Sequence, residues 1–224
     1  MKKTKTIYSW SGGKDSAMGL YRMLRDPQYE VVELLTTVNR DYGRTSMHGV
    51  RRKLHREQAK MIGLPVREVE LPASTTNEEY EETMRAEMER ARQMGIEHVA
   101  FADIFLEDLK QYREKNLAEA GMKGVFPIWK RETDELSREF IGLGFKAVVT
   151  CVDTKSLDES FCGREYDQEF LDDLPESVDP CGENGEFHTF VYDGPVFSGP
   201  VPFTRGEVVK REERFYYCDL LPGH

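Results

Sequence analysis

Ser9-Trp10-Ser11-Gly12-Gly13-Lys14-Asp15-Ser16 is the stretch whose reading decides the fold. A β-favouring run, residues 5–10, leads into it, and Ala17, Leu20, Tyr21 and Leu24 follow at helical spacing. A strand that turns straight into a helix presents unpaired N–H groups and the positive end of the helix dipole to whatever lies above the turn. Gly12 and Gly13 let the backbone turn tightly and approach a ligand. Ser11 and Ser16 add hydroxyls, and Lys14 adds a point charge suited to phosphate oxygens. Asp15 would repel phosphate unless a cation lay between them, which implies Mg2+. The spacing matches neither the Walker loop G-x-x-x-x-G-K-S/T nor the dinucleotide fingerprint G-x-G-x-x-G.

Working outward, strand and helix patterns alternate. Residues 31–38 are nearly continuous in apolar and β-favouring types, as in a strand covered on both faces. Residues 51–62 read as a helix stopped by Gly63 and Pro65, and 66–71 alternate as a half-buried strand does. Thr76 and Glu79 have capping-box spacing and open a long acidic helix that ends at Gly95. Strands at 98–102, 124–128 and 147–152 then alternate with helices at 107–120 and 133–143. Repeated βα units with short links predict an α/β fold with an open, mostly parallel, doubly wound sheet. After Asp153 the texture changes. Residues 161–180 are charged and irregular with one short helix near 168–172, and 182–191 and 207–220 read as two strands across a Pro/Gly-rich link. This predicts a smaller C-terminal α+β domain. The boundary is placed at Phe126-Pro127, giving a loop-bearing domain, 1–126, and a substrate domain, 127–224.

Lys and Arg number 31 against 41 Asp and Glu, a net charge of −10 that makes the chain a poor scaffold for a nucleic-acid backbone. No apolar run reaches the length of a membrane helix, and the apolar stretch at 7–10 is too short for a signal-peptide core. A cytoplasmic protein with no membrane partner is expected. Cys151, Cys162, Cys181 and Cys218 never form C-x-x-C, which argues against a zinc ribbon, an iron–sulfur cluster and a thioredoxin motif.

A second informative stretch is Cys181-Gly182-Glu183-Asn184-Gly185-Glu186-Phe187-His188-Thr189-Phe190. Two carboxylates, an amide and an imidazole beside flexible glycines can orient an amine, bind a cation or shuttle protons. A plain hairpin about Asn184-Gly185 with exposed polar residues is the alternative. Cys181 fits either a structural role or that of a nucleophile.

Ser11 to Ser16 resembles the S-G-G-x-D-S signature of the PP-loop ATP pyrophosphatases. Gly182 to Thr189 resembles the G-E-x-G-E-F/Y-x-T signature of the diphthine–ammonia ligase family within that group. Ala102-Asp103-Ile104 (Ala in place of Gly), Phe126-Pro127-Ile128-Trp129, Gly144 to Val149, Leu157-Asp158 and His48-Gly49-Val50-Arg51 extend the resemblance across residues 9–195. It implies that ATP is split into AMP and pyrophosphate, that the carboxylate of diphthine on elongation factor 2 is adenylated, and that ammonia displaces AMP. Ser9, Ser11, Gly12, Gly13, Lys14, Asp15 and Ser16 would then hold the triphosphate, with Asp15 positioning Mg2+ and Lys14, Asp15 and Glu186 as catalytic residues. Thr36, Thr37 and Val38 end a strand where backbone contacts to adenine are expected, and His48 and Asp103 are placed on the nucleotide side. Glu183, Asn184, Glu186, His188 and Thr189 are the substrate-site candidates, with Glu186 or His188 taking the ammonium proton. Two rival readings are a PP-loop sulfurtransferase acting on tRNA and a non-catalytic ATP or AMP sensor. A homodimer through the C-terminal segment is compatible with the pattern.

Overall fold

The structure, a computed structural model, describes residues 3–45 and 49–223. The first part of the chain runs β1 (Thr4–Ser9), α1 (Lys14–Arg25), β2 (Tyr29–Asn39), β3 (Arg44–Thr45), α2 (Arg52–Ile62), β4 (Val66–Leu71), α3 (Asn77–Gln93), β5 (His98–Ala100), α4 (Glu107–Glu119) and β6 (Lys123–Val125). The rest runs α5 (Thr133–Gly142), β7 (Lys146–Asp153), a 3-10 turn (Glu159–Phe161), α6 (Gln168–Asp173), β8 (Phe187–Asp193), β9 (Phe203–Arg211) and β10 (Phe215–Pro222).

β1 is central. It pairs in parallel with β2 on one side and β5 on the other; β4 adds in parallel to β2, and β6 to β5. The two-residue β3, an antiparallel addition to β2, was not visible in the sequence pattern. The chain thus builds one flank from β2 and β4, then crosses β1 to build the other from β5 and β6. In such sheets ligands enter at the carboxyl ends of the strands where the order reverses, here between β1 and β5.

Alternation along the strands covers both faces of the sheet. Tyr8 and Leu34 belong to a core with Ala17, Leu20 and Met23 of α1. Their neighbours Ile7 and Leu35 turn to the opposite core, with Met88 and Ala91 of α3 and Leu117 of α4. α1 lies hard against β1: the Tyr8 hydroxyl donates to the Ser16 carbonyl at 2.7 Å, and a Cβ at Gly19 would meet that hydroxyl at 2.3 Å. The capping box at Thr76 and Glu79 opens α3 as expected.

The second sheet is antiparallel, in the order β8-β7-β10-β9, and with α5 and α6 it makes the smaller α+β unit. Two expectations fail there. Residues 182–186 form a loop, and the strand begins only at Phe187. The stretch read as one strand at 207–220 is the end of β9, a tight turn and most of β10. Glu212 (φ 50°) and Glu213 (φ 54°) both occupy left-handed backbone in that turn, where glycine or asparagine would have advertised it. Among the described residues no helix is long and apolar enough to cross a membrane.

Candidate active site

The 9–16 loop sits at the carboxyl end of β1 and is braced from several directions. Trp10 N–H donates to the Leu35 carbonyl at 2.8 Å, fixing the loop to β2. Its own hydroxyls fold it: Ser11 N–H donates to Ser16 Oγ (3.2 Å), Gly13 N–H to Ser11 Oγ (3.3 Å), and Ser16 Oγ to the Ser9 carbonyl (3.4 Å). Gly12 has φ +82°, a conformation open to glycine and strained for other residues. Gly13 is the N-cap of α1 with no side-chain cap of its own. The cap comes instead from the second sheet, where Thr189 Oγ1 accepts the Lys14 N–H at 3.0 Å.

Lys14 is buried, 4 % exposed. Its ammonium pairs with Asp15 at 2.8 Å and donates to the Cys181 carbonyl. It lies 5.3 Å from the centre of the Phe187 ring and 5.7 Å from that of Tyr166. Burial opposes its charge, but the charge and hydrogen bond of Asp15, together with Cys181 and Glu183, outweigh burial and raise the pKa above that of an ordinary lysine. The side chain expected to touch phosphate is therefore charged and engaged with the 181–189 segment.

Glu183 Oε1 accepts the Ile104 N–H at 3.2 Å, joining the second motif to the segment after β5. Burial, reinforced by the charge of Asp15, pushes its carboxyl up to about 7. Glu186 has a different place. It accepts from Asp179 N–H (3.2 Å), Asn184 N–H (3.0 Å) and Asn184 Nδ2 (3.1 Å), so both its oxygens close the 179–186 loop on itself. Of the two glutamates, the one expected to be catalytic serves as a clasp, and the one expected only to contact substrate reaches the segment after β5 with its pKa raised. Asn184 is exposed and His188 half-buried on β8. Asp103 is buried and forms an ion pair with Arg113 at 2.7 Å; that guanidinium lies 4.2 Å from the centre of the Phe101 ring. His48 lies outside the described residues.

A cavity of about 320 Å³ opens beside the loop, with Ser9, Ser11, Thr36 and Thr37 on the sheet side and Met84 and Tyr112 on the walls made by α3 and α4. Its lining mixes apolar side chains such as Met84, Met88 and Phe101 with polar and charged ones such as Arg85, Arg113 and Asn116, at a switch point where small ligands bind. Val38 is wholly buried in the sheet. The Tyr112 hydroxyl donates to Glu81 at 2.9 Å, linking the two helices that form the walls. Among the described residues no three His, Cys, Asp or Glu side chains are grouped to hold a metal ion. All four cysteines are buried, and burial raises each thiol pKa.

One residue escaped the sequence reading: Gln58 of α2, which is wholly buried and hydrogen-bonds to the Gly12 carbonyl. Its signal was a polar side chain at i+4 from Leu54 and next to Ala59, on the buried face of the helix.

An open parallel sheet with an S-G-G-x-D-S turn at its switch point defines a PP-loop protein. Comparison with known proteins takes the assignment further. Residues 4–124 match the diphthamide synthase N-terminal domain, and residues 132–219 match the diphthamide synthase C-terminal domain. The chain belongs to this PP-loop diphthine–ammonia ligase family. Human diphthine–ammonia ligase is 30 % identical over 110 residues, which take in 46 % of this chain and 41 % of the human protein. The zebrafish protein of the same name is 28 % identical over 170 residues, 67 % of this chain and 65 % of that one. The chain thus matches between about two-fifths and two-thirds of these relatives' lengths. A solved U34-tRNA thiolase, NcsA from Methanococcus maripaludis, aligns over 64 % of this chain and 59 % of its own with a TM-score of 0.42 and 14 % identity.

Proposed function

We propose that this chain is an ATP-dependent, AMP-forming carboxylate–ammonia ligase of the diphthine–ammonia ligase kind, working in the cytoplasm on diphthine of elongation factor 2. ATP adenylates the carboxylate with release of pyrophosphate, and ammonia then displaces AMP. The observation that carries this reading is the direct bonding of the phosphate loop to the second motif: the Lys14 N–H to Thr189 and its ammonium to the Cys181 carbonyl. Activation of a carboxylate and delivery of an amine need adjacent sites, and here the two motifs are one hydrogen-bonded unit. The family names of the relatives point the same way.

In this reading the cavity between α3 and α4 takes the adenosine, with the ends of β1 and β2 along one side. The N–H groups at the start of α1 stabilise charge on the phosphates, and Lys14 contributes its positive charge from below the loop. Asp15 is an oxygen donor at the loop, with a side chain 27 % exposed. That fits Mg2+ carried on the triphosphate, which keeps most of its waters and needs one or two protein carboxylates; it would neutralise the phosphate charge. Glu183, with a pKa near neutrality, is the group that takes the proton from ammonium. The division into domains at 126/127 belongs to the same proposal.

The experiment is product analysis. Incubation with ATP, Mg2+, ammonium and elongation factor 2 carrying diphthine is expected to yield AMP and pyrophosphate, with both lost in Asp15→Ala. ADP and phosphate as the products would sink the mechanism. Tight ATP binding without turnover under any acceptor would favour a nucleotide sensor.

A further inference from the structure

We infer that Gln58 is a positioning residue for the phosphate loop: from α2 it sets which way the Gly12–Gly13 peptide faces and locks that peptide to β8. The inference rests on the nucleotide reading above. Gln58 is wholly buried, and its carboxamide is engaged at both ends. Nε2 donates to the carbonyls of Gly12 (2.9 Å) and Val191 (2.6 Å), and Oε1 accepts the Trp10 indole N–H (3.3 Å). The orientation of this amide is determined by its partners. An indole N–H only donates and backbone carbonyls only accept, so a single flip state satisfies all three.

The consequence is geometric. The Gly12 carbonyl receives Gln58 Nε2 and also the Val191 N–H at 2.9 Å, so it is drawn toward α2 and β8. A trans peptide carries its N–H opposite its carbonyl. The Gly13 N–H is thereby turned to the other side of the loop, where Ser11 Oγ lies 3.3 Å away, and it heads the row of N–H donors that starts α1. Two adjacent glycines turn easily. With the donor at position 58 removed, Val191 alone holds the peptide, and a flipped peptide would aim a carbonyl oxygen where a phosphate oxygen must sit.

The test is calorimetric titration of ATP and of AMP, each with Mg2+, into the wild type, Gln58→Leu and Gln58→Glu. Glu keeps the size and the acceptor for Trp10 but carries at most one proton, in its neutral form, where Gln58 Nε2 serves two carbonyls, so it weakens the hold on the peptide and decides the question where Gln58→Leu is poorly folded. ATP affinity is expected to fall at least about tenfold in both variants. AMP affinity, set mainly by the wall at Thr36 and Thr37, should change less than about threefold. Equal losses for both nucleotides would mean general damage, and no loss for either would mean the peptide needs no help; each result overturns the inference. On the wild type, the Gly13 amide resonance is expected to shift when pyrophosphate is added, and a Gly13 that stays put overturns it equally. A wild type that binds no ATP is a separate outcome, which removes the nucleotide reading and this inference with it.

Discussion

Gly12→Ala tests the architecture of the loop most directly. At φ +82° a Cβ on residue 12 would lie 2.6 Å from Gln58 Oε1 and 3.1 Å from His55 Cδ2. Two costs add. Left-handed backbone at a residue with a Cβ costs roughly 1–2 kcal/mol, and forcing a methyl into a packed site costs about 1–3 kcal/mol. Relaxation of Gln58 recovers part of this, leaving about 2–4 kcal/mol of destabilisation. For a chain of this size that corresponds to roughly 4–16 °C in Tm, measured by scanning calorimetry. The relaxation has its own effect: moving Gln58 releases the Gly12 carbonyl, and a displacement of the phosphate-binding groups by about 1 Å is expected to cost roughly a hundredfold in AMP formation. Gly142→Ala is the control. It ends α5 with open space around the missing Cβ, so its stability should stay within about 1 kcal/mol of wild type and its turnover should not change. A Gly12→Ala protein that melts and turns over like Gly142→Ala would refute this account of the loop.

Three further outcomes are expected. In the metal-free protein Glu183 should titrate at about 7, as read from its side-chain carbonyl resonance; Asp15→Asn should lower that value but leave it above the ordinary one, since burial is the larger cause. Because this folded-state pKa is raised, the stability it contributes is fully present below the unfolded value and is lost as pH rises through about 7. Asp219, held low by Arg51 and Arg44, and Asp153, held low by Arg214, behave oppositely. Their contribution is present above the unfolded pKa and fades as pH falls toward their lower folded values, so Asp219→Asn should flatten the acid side of a Tm-versus-pH curve. Cys162→Ser and Cys181→Ala should retain AMP formation, since a buried thiol of raised pKa is a poor nucleophile; activity abolished in a folded Cys181→Ala would revive the sulfurtransferase reading.

The features legible in sequence were those that follow from local chemistry. The strand–Gly-Gly–helix turn, the periodicity of α1 and α2, and the Thr76/Glu79 cap each act over a few residues, and each was found where expected. What escaped depends on partners distant in the chain. Gln58 has its meaning only through Gly12 and Val191, which lie 46 and 133 residues away. Glu183 and Glu186 flank the same turn; three N–H donors from Asp179 and Asn184 hold Glu186, whereas Glu183 takes one from Ile104 after β5, and no spacing rule contains that. The turn at Glu212 and Glu213 was hidden because two glutamates carry a backbone that sequence patterns associate with glycine and asparagine.

The Thr189 hydroxyl that caps α1 also bears on how this protein can change. Most helices that begin with a ligand loop obtain their cap from within a few residues, so loop and helix can be transplanted together. Here the capping oxygen lies 175 residues downstream, on a strand that also takes the Gly12 carbonyl. A drift in the register of β8 would be felt at once at the start of α1, so the two halves are bound to vary in concert. Grafting residues 9–25 onto another parallel sheet would carry over the letters of the motif without the hydroxyl that accepts its Lys14 N–H.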